Sequence, residues 1–241
     1  MTSAMARVAR LKYSHSDPLF RYSGLEPMSA SNRESISLLL RGDVDVAFVP
    51  VTYAAQNCGA LSFIPDFAVY SDGPVISAKL FRGSGRGYAA VSDTSVNALA
   101  IKRLLGIELN VVEDPLAALA EYEGVLVIGD DALRLTDAGI PYHVDTGELW
   151  RSRIGFPLVY AVMAARRDAD PASIREISRS IGRSLERFYL DPAQLIAEVA
   201  HRINVSERLV REYYTVIGYR IDDRVLRGIE EELEVLGLPK C

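Results

Sequence analysis

The pattern of hydrophobic and polar positions divides the chain into an alternating first part and a helical last third. Residues 7–13 alternate apolar and basic side chains, as a strand with one buried face does. Residues 31–41 place apolar side chains on one helical face and end before Gly42, and residues 44–51 form an apolar run. This order predicts a strand–helix–strand unit with parallel strands, whose ligand sites lie at the carboxyl ends of the strands.

A second alternating unit is predicted after the glycine-rich residues 83–87. These glycines are followed by a strand rather than by a helix, so the spacing and context of a dinucleotide-binding loop are not met. A flexible crossing between two lobes, or a tight turn, is expected there instead. Residues 88–91, 109–112 and 125–128 have the pattern of strands, and residues 96–105 that of a helix.

The last third is predicted to be helical from Asp170 onward. An aspartate followed by Pro171 is typical of a helix start, and apolar residues recur after it at spacings of three and four. Two more helices are expected before a last one over residues 223–236. Residues 156–165 form a continuous apolar run, which predicts a buried strand leading into these helices.

Composition and charge narrow the class of protein. The 241 residues are 49% hydrophobic and carry a formal net charge of −5, which is typical of a globular protein and argues against a nucleic-acid partner. The sequence shows neither an apolar run long enough to span a membrane nor a signal peptide, so we expect a cytoplasmic protein without a membrane partner. All but four of the 27 basic residues are arginine, which suits an anionic ligand but is explained more simply by genome bias.

Two places carry candidate chemistry by their position. His15 follows the first strand, where its imidazole could exchange a proton or serve only as a loop residue. Ser92, Thr94 and Ser95 stand at a predicted helix start, where free N–H groups favour a carboxylate or phosphate, although ordinary capping explains the same residues. The sequence contains no metal-ligand spacing, nucleophile elbow or phosphate loop, so no metal site is predicted.

Six ordered motifs then resemble those of a known family. They are YSHSDPL at residues 13–19, GDVDVAFV at 42–49, SDGPVIS at 71–77, the helix start at 92–95, IGDDAL at 128–133, and a set formed by Asp145, Gly147, Trp150, Gly155 and Pro157. With Tyr213 and Tyr219 in the tail, this set resembles the chorismate dehydratase family of the futalosine route to menaquinone over nearly the whole chain. The main departure is that the family's Leu-Asn after the first strand is Ser14-His15 here.

The resemblance implies an α/β protein with the two-lobed, periplasmic-binding-protein-like (type II) fold and a ligand cleft between the lobes. Residues 1–82 and 171–241 would form the first lobe, and residues 83–170 the second. The implied activity is that of a carbon–oxygen lyase without a cofactor. It would eliminate water from chorismate, a small carboxylated molecule, to give 3-[(1-carboxyvinyl)oxy]benzoate. No oligomeric state is predicted.

The resemblance also implies the site. His15 and Ser71 are the predicted catalytic residues, and the predicted substrate-binding residues are Ser14, Asp45, Thr52, Gly73, Ser92, Thr94, Ser95 and Asp130. Because histidine titrates where asparagine does not, two alternatives stay open. One is a cytoplasmic protein of the same fold that binds a small carboxylate without catalysis, and the other is a related enzyme with a different carboxylated substrate.

Overall fold

A computed structural model describes residues 7–240. The strands are β1 (Val8–Leu11), β2 (Met28–Ala30), β3 (Val46–Pro50), β4 (Leu61–Ser71), β5 (Ala78–Arg82), β6 (Tyr88–Val91), β7 (Asn110–Val112), β8 (Gly124–Ile128), β9 (Tyr142–Asp145), β10 (Leu158–Arg166) and β11 (Ile217–Arg220). The helices are α1 (Asp17–Phe20), α2 (Asn32–Arg41), α3 (Val51–Gln56), α4 (Ser95–Leu105), α5 (Pro115–Glu121), α6 (Gly129–Asp137), α7 (Thr146–Ile154), α8 (Pro171–Leu190), α9 (Ala193–Ile203), α10 (Glu207–Val216) and α11 (Asp223–Leu236). A short 3-10 helix (Ser14–Ser16) stands between β1 and α1.

The strands form two sheets, one in each lobe. The first sheet has the order β11–β4–β10–β3–β1–β2, and the second has the order β7–β6–β8–β5–β9. β1 pairs in parallel with β3, as the predicted strand–helix–strand unit requires. β5 and β10 run antiparallel to both of their neighbours. This mixed α/β architecture confirms the predicted fold class.

The two faces of the first sheet are covered by different helices. Val46 and Phe48 of β3 pack in one apolar cluster with α8, α9 and α10, whereas Ala47 and Val49 pack in another with α2, α3 and α11. This follows from the alternation of side chains along a strand. β11, which was not predicted within the helical last third, is an edge strand beside β4. Its four residues follow α10 directly and are too few to show an alternating pattern.

Helix ends lie where the sequence predicts them. Ser31 and Glu34 form a reciprocal capping box at the start of α2, and Gly42 ends that helix in the left-handed conformation. Asp170 caps α8 by accepting hydrogen bonds from two backbone N–H groups of its first turn. No helix in the described part of the chain has the length and apolar character needed to cross a membrane.

The chain passes between the lobes at places other than those predicted. β5 belongs to the second sheet and β10 to the first, so the passages lie at residues 72–77 and 155–157. The predicted boundaries after residues 82 and 170 are each displaced by about one strand. A run of apolar residues identifies a buried strand but carries no information about which sheet receives it.

A buried carboxylate, that of Asp145, fastens the first passage to the start of α7. Its Oδ1 accepts hydrogen bonds from the N–H groups of Val75 at 3.0 Å, Gly147 at 3.0 Å and Glu148 at 3.2 Å, and its Oδ2 accepts from Ile76 at 2.8 Å. Burial raises the pKa of Asp145, and these backbone donors act in the opposite direction. This one side chain therefore joins the first passage to the start of α7, the helix that leads into the second passage.

The glycine-rich residues 83–87 form a tight turn within the second lobe, and the alternative prediction of a crossing was wrong. The Gly85 N–H donates to the Tyr122 carbonyl at 3.1 Å. A Cβ atom at Gly85 would lie 1.8 Å from the Glu121 carbonyl oxygen. Only glycine allows the two backbones to approach this closely.

This contact generates a stability prediction. We expect Gly85→Ala to lower the free energy of unfolding by about 1–3 kcal/mol, because a methyl group must displace the α5 backbone. Gly59→Ala is the matched control, because Gly59 has an ordinary φ and nothing within 4 Å of a built Cβ atom. Urea denaturation of the two variants measures the difference. Equal stability of the two variants would contradict the account of this turn.

Candidate active site

A narrow cleft separates the two lobes, and elements of both lobes line it. The first lobe contributes residues of β1, the 3-10 helix, β10 and α10, and the second contributes the start of α4 and the end of β8. The enclosed volume is about 40 Å³, whereas small-molecule pockets usually measure roughly 300–1,000 Å³. The lobes therefore have to part before a ligand with a six-membered ring can enter.

The polar groups that line the cleft are uncharged at neutral pH. They belong to Tyr13, His15, Asn32, Ser77, Ser95, Asn97, Tyr160 and Tyr213. Among the described residues that line this cavity, no lysine, arginine, aspartate or glutamate occurs. An anionic ligand in the cleft would therefore be held by neutral donors and by the helix N-terminus, and not by a salt bridge.

His15 lies on the 3-10 helix at the cleft wall, partly exposed. Its Nε2 atom is buried and has no hydrogen-bond partner among the described residues. The pKa of His15 is lowered to about 4, chiefly by burial and also by the positive charge of Arg10, while Asp17 acts in the opposite direction. The imidazole is therefore neutral at pH 7, and its free nitrogen is available to a ligand.

Ser14, which was predicted to bind substrate, uses its polar atoms within the protein. Its N–H donates to Asp130 Oδ1 at 2.9 Å, its carbonyl accepts from the Tyr214 hydroxyl at 2.9 Å, and its Oγ accepts from Arg202 at 3.0 Å. The residue is fully buried. Ser14 and Asp130 therefore hold the segment that carries His15. Neither is among the residues that line the cavity.

The start of α4 faces the cleft without a side-chain cap. Thr94 occupies the N-cap position, but its hydroxyl donates to the Val91 carbonyl at 3.0 Å and accepts no N–H of the helix. Ser95 and Val96, the first residues of α4, line the cavity. Free N–H groups and the helix dipole at this place favour a carboxylate. Ser92 lies outside the cavity, in an adjoining pocket of about 340 Å³ at the mouth of the cleft.

Ser71 lies behind the cleft wall at the end of β4. It is buried, donates to the Gly73 carbonyl at 3.0 Å, and shares a hydrogen bond of 2.8 Å with the Tyr160 hydroxyl, which reaches the cavity. A Cβ atom at Gly147 would lie 2.5 Å from Ser71 Oγ, so this glycine is needed for the arrangement. Burial raises the pKa of Tyr160 well above its ordinary value, which keeps its hydroxyl protonated.

Two other predicted residues lie away from the cleft. Asp45 precedes β3, at the opposite edge of the sheet from His15, and pairs with the Arg7 guanidinium at 2.9 Å. Thr52 is buried at the start of α3, and its Oγ1 has no hydrogen-bond partner among the described residues. Both residues lie at strand ends, as the sequence predicts. The sequence does not show that the end of β3 nearest Asp45 points away from the cleft. It also does not show that Thr52 of α3 is buried away from the cleft.

Several lining residues escaped the sequence analysis. Asn32 and Asn97 read as ordinary helical positions, and Tyr160 as part of an apolar strand. The sequence offers one indication for two of them, because Asn97 and Tyr160 each place a polar group within an apolar run. It offers none for Asn32. In the structure, Asn97 Oδ1 accepts from the Thr146 hydroxyl at 2.7 Å, which fixes the amide beside the start of α4.

Asp93 and Gly129 of the second lobe meet the first lobe at the mouth of the cleft. Asp93 Oδ2 accepts from the Tyr13 hydroxyl at 2.6 Å and from the Asn32 N–H at 3.0 Å. The Tyr13 ring also lies against the backbone of Gly129, where a Cβ atom would be 2.3 Å from the ring. These contacts hold the lobes close together.

Comparison with known proteins identifies the family. The family model described as "Menaquinone biosynthesis" matches residues 7–236. The chain belongs to this family. A chorismate dehydratase from Thermus thermophilus is 29% identical to it, over 95% of this chain and 94% of that protein. A 1,4-dihydroxy-6-naphtoate synthase from the same organism is 28% identical over 40% of this chain.

Solved structures of other proteins share the fold of this chain. An Archaeoglobus fulgidus protein has a TM-score of 0.78 at 15% identity and covers 96% of both chains. A Candida albicans protein, described as having the generic periplasmic-binding-protein fold, has a TM-score of 0.71 at 14% identity, over 98% of this chain and 90% of that one. These similarities confirm the predicted two-lobed fold. In residues 7–240, no group of three or more potential ligand side chains is placed to hold a metal ion.

The lowered pKa of His15 generates a prediction about acid stability. Its pKa of about 4 in the folded protein lies below the value of about 6.5 expected for an unfolded chain. The unfolded chain therefore binds the proton first, and stability is lost as the pH falls from 6.5 towards 4. At pH 5 the loss is about 2 kcal/mol. We expect His15→Asn to remove this part of the acid sensitivity.

Urea denaturation at pH 7 and pH 5 measures the effect. His143→Asn is the control, because His143 is exposed on β9 in the second lobe. The control should lose as much stability on acidification as the unmodified protein. If His15→Asn loses equally much, His15 does not hold a neutral imidazole in the folded state.

Proposed function

We propose that this family member is a chorismate dehydratase-like lyase, which eliminates water from chorismate to give 3-[(1-carboxyvinyl)oxy]benzoate. Support comes from the match to the family model and from the relative of that name, which matches over nearly the whole chain. One observation of the site carries the proposal: the free imidazole nitrogen of His15 and the uncapped start of α4 belong to the same cleft.

The start of α4 suits the anionic part of such a substrate. Chorismate carries two carboxylates, and the N–H groups of Ser95 and Val96 can receive one of them. Asn32 and Asn97 add neutral amides that line the same cavity. Because the described lining contains no lysine or arginine, no positive side chain of the cleft offsets the negative charge of the substrate. That negative charge then raises the pKa of His15.

His15 is proposed to take the proton from the ring carbon that bears the ether oxygen. Its pKa of about 4 ensures that the free enzyme holds a neutral imidazole, able to accept a proton at Nε2. Two substrate carboxylates in a cleft from which water is excluded raise the proton affinity of a neighbouring imidazole. His15 therefore becomes a stronger base when the substrate is bound.

The neighbouring hydroxyl leaves from the same ring as water, because it takes up the proton that His15 has removed; His15 is neutral again, and the ring becomes aromatic. Hydroxyl groups of Tyr160, Tyr213 and Ser77 line the cavity and can hydrogen-bond the departing oxygen. The elimination transfers no electrons to a second molecule, so the proposal includes no cofactor. Aromatisation supplies the driving force, and the protein contributes orientation and the exclusion of water when the lobes close.

Within this proposal the predicted residues take different places. His15 is catalytic, and Ser71 acts through the hydroxyl of Tyr160. Ser95 contacts substrate, while Thr94, Gly73 and Ser92 shape the surrounding backbone and the mouth. Asp45 and Thr52 are left out of the site because neither lines the cleft. We place the reaction in the cytoplasm, with a small carboxylated molecule as the ligand.

Turnover tests the proposal directly. Purified protein is incubated with chorismate, the loss of its ultraviolet absorbance is followed, and the product is identified by mass spectrometry. We expect the enolpyruvyl benzoate to form, and His15→Ala to lower kcat by roughly 10²–10⁴-fold, the usual contribution of a positioned acid or base. His143→Ala should leave kcat unchanged, and both variants should keep the melting temperature of the unmodified protein at pH 7.

The possible outcomes separate the two functional hypotheses. Turnover that survives His15→Ala would show that the imidazole is not the base. Binding of chorismate, seen as a thermal shift, without any product would support a non-catalytic carboxylate-binding protein. If the protein neither binds nor converts chorismate, chorismate is excluded as the ligand.

A further inference from the structure

The 3-10 helix that carries His15 is completed by a side chain of the opposite lobe. The N–H of Ser14 is the first of this helix, and the side chain of Tyr13, at its N-cap, makes no capping hydrogen bond. The capping acceptor is Oδ1 of Asp130, which lies on α6 of the second lobe, 2.9 Å from the Ser14 nitrogen. A carboxylate at a helix N-terminus stabilises the first turn through both the hydrogen bond and the helix dipole.

The other bonds to Ser14 come from its own lobe. Tyr214 of α10 donates to its carbonyl, and Arg202 of α9 donates to its Oγ. Arg202 also pairs with Asp17 at 2.5 Å, and Arg10 pairs with the second oxygen of that carboxylate at 2.7 Å. These contacts do not depend on how close the lobes are. The bond from Ser14 to Asp130 exists only when the second lobe is close.

We propose that Asp130 is a positioning residue, which couples closure of the lobes to the alignment of His15. When the lobes part, the carboxylate withdraws and the first turn of the 3-10 helix loses its cap. When they close around a substrate, the cap is restored and the imidazole is fixed beside the reacting carbon. This inference deepens the proposed function and, for its effect on catalysis, rests on it.

Asp93 provides an internal comparison. It also bridges the lobes, but its partners are the hydroxyl of Tyr13, the N-cap residue of the 3-10 helix, and the start of α2, and it accepts no backbone N–H of that helix. Loss of Asp93 weakens closure but leaves the Ser14 N–H capped, so Asp93→Ala is expected to raise KM more than it lowers kcat. Loss of Asp130 removes the alignment as well, so Asp130→Ala is expected to lower kcat, by roughly 10-fold to 10²-fold, the range of a misplaced catalytic group.

Steady-state kinetics with chorismate compare Asp130→Ala, Asp130→Asn and Asp131→Asn. The amide oxygen of asparagine can accept the same hydrogen bond, so Asp130→Asn should recover most of kcat. Asp131 is the matched control, because it is exposed on the same turn of α6 and pairs with Arg134 of its own lobe. A kcat of Asp130→Ala equal to that of Asp131→Asn would overturn the catalytic part of the inference.

A second measurement does not depend on turnover. Nuclear magnetic resonance follows the titration of the His15 imidazole in each folded variant. In the unmodified protein His15 should stay neutral to near pH 4, whereas in Asp130→Ala the released helix should expose the ring and its pKa should rise towards 6.5. The charged groups that act on this ring, Arg10 and Asp17, are the same in every variant. An unchanged titration would overturn the proposed role of Asp130.

Amide exchange of Ser14 in the unmodified protein tests the coupling without any substitution. Adding 3-[(1-carboxyvinyl)oxy]benzoate should close the lobes and slow the exchange of this amide at least tenfold. Exchange that does not respond to the bound product would contradict the inference. If the protein neither binds nor forms this product, yet His15 titrates differently in Asp130→Ala, the proposed reaction fails while the role of Asp130 stands.

Discussion

The carboxylate of Asp145 is the constraint on which the arrangement of the two lobes depends. It is buried, and each of the four backbone N–H groups bound to it belongs either to the first passage between the lobes or to the start of α7. Burying a charge is costly unless hydrogen bonds compensate for it, and here four donors do so. Asp72 adds outer ties, since it pairs with Arg151 of α7 and Arg224 of α11. The bonds of Asp145 fix the passage at residues 72–77 to the start of α7.

The cleft between the lobes is lined by neutral polar groups and by apolar residues. The sequence has 27 basic residues, yet the described lining contains no lysine or arginine. Arg10 and Arg202 lie near the site but do not line the cleft, and both form salt bridges with Asp17. In the proposed reaction, the negative charge of the substrate would raise the pKa of the neutral His15 beside it, and His15 would become a stronger base once the substrate is bound.

The sequence predicted local structure well, because caps and periodicity are local properties. The capping box of Ser31 and Glu34 and the Asp170-Pro171 start both follow from adjacent residues. It failed where the outcome depends on partners distant in the chain, as with the sheet assignment of β10. His15 was predicted as a site residue because strand ends mark ligand sites, and the structure places it at the cleft wall. Asp130 was identified by motif but given a ligand-binding role, since its bond to Ser14 spans 116 residues and exists only in the folded chain.

The contact between Tyr13 and Gly129 has a consequence for which molecules the cleft can enclose. The ring rests on bare backbone, because even one carbon atom at this position would lie 2.3 Å from it. The absence of a side chain therefore allows the two lobes to approach as closely as they do here. A larger residue at this position would hold the Tyr13 ring farther from the backbone of the second lobe, and it would widen the cleft that His15 lines.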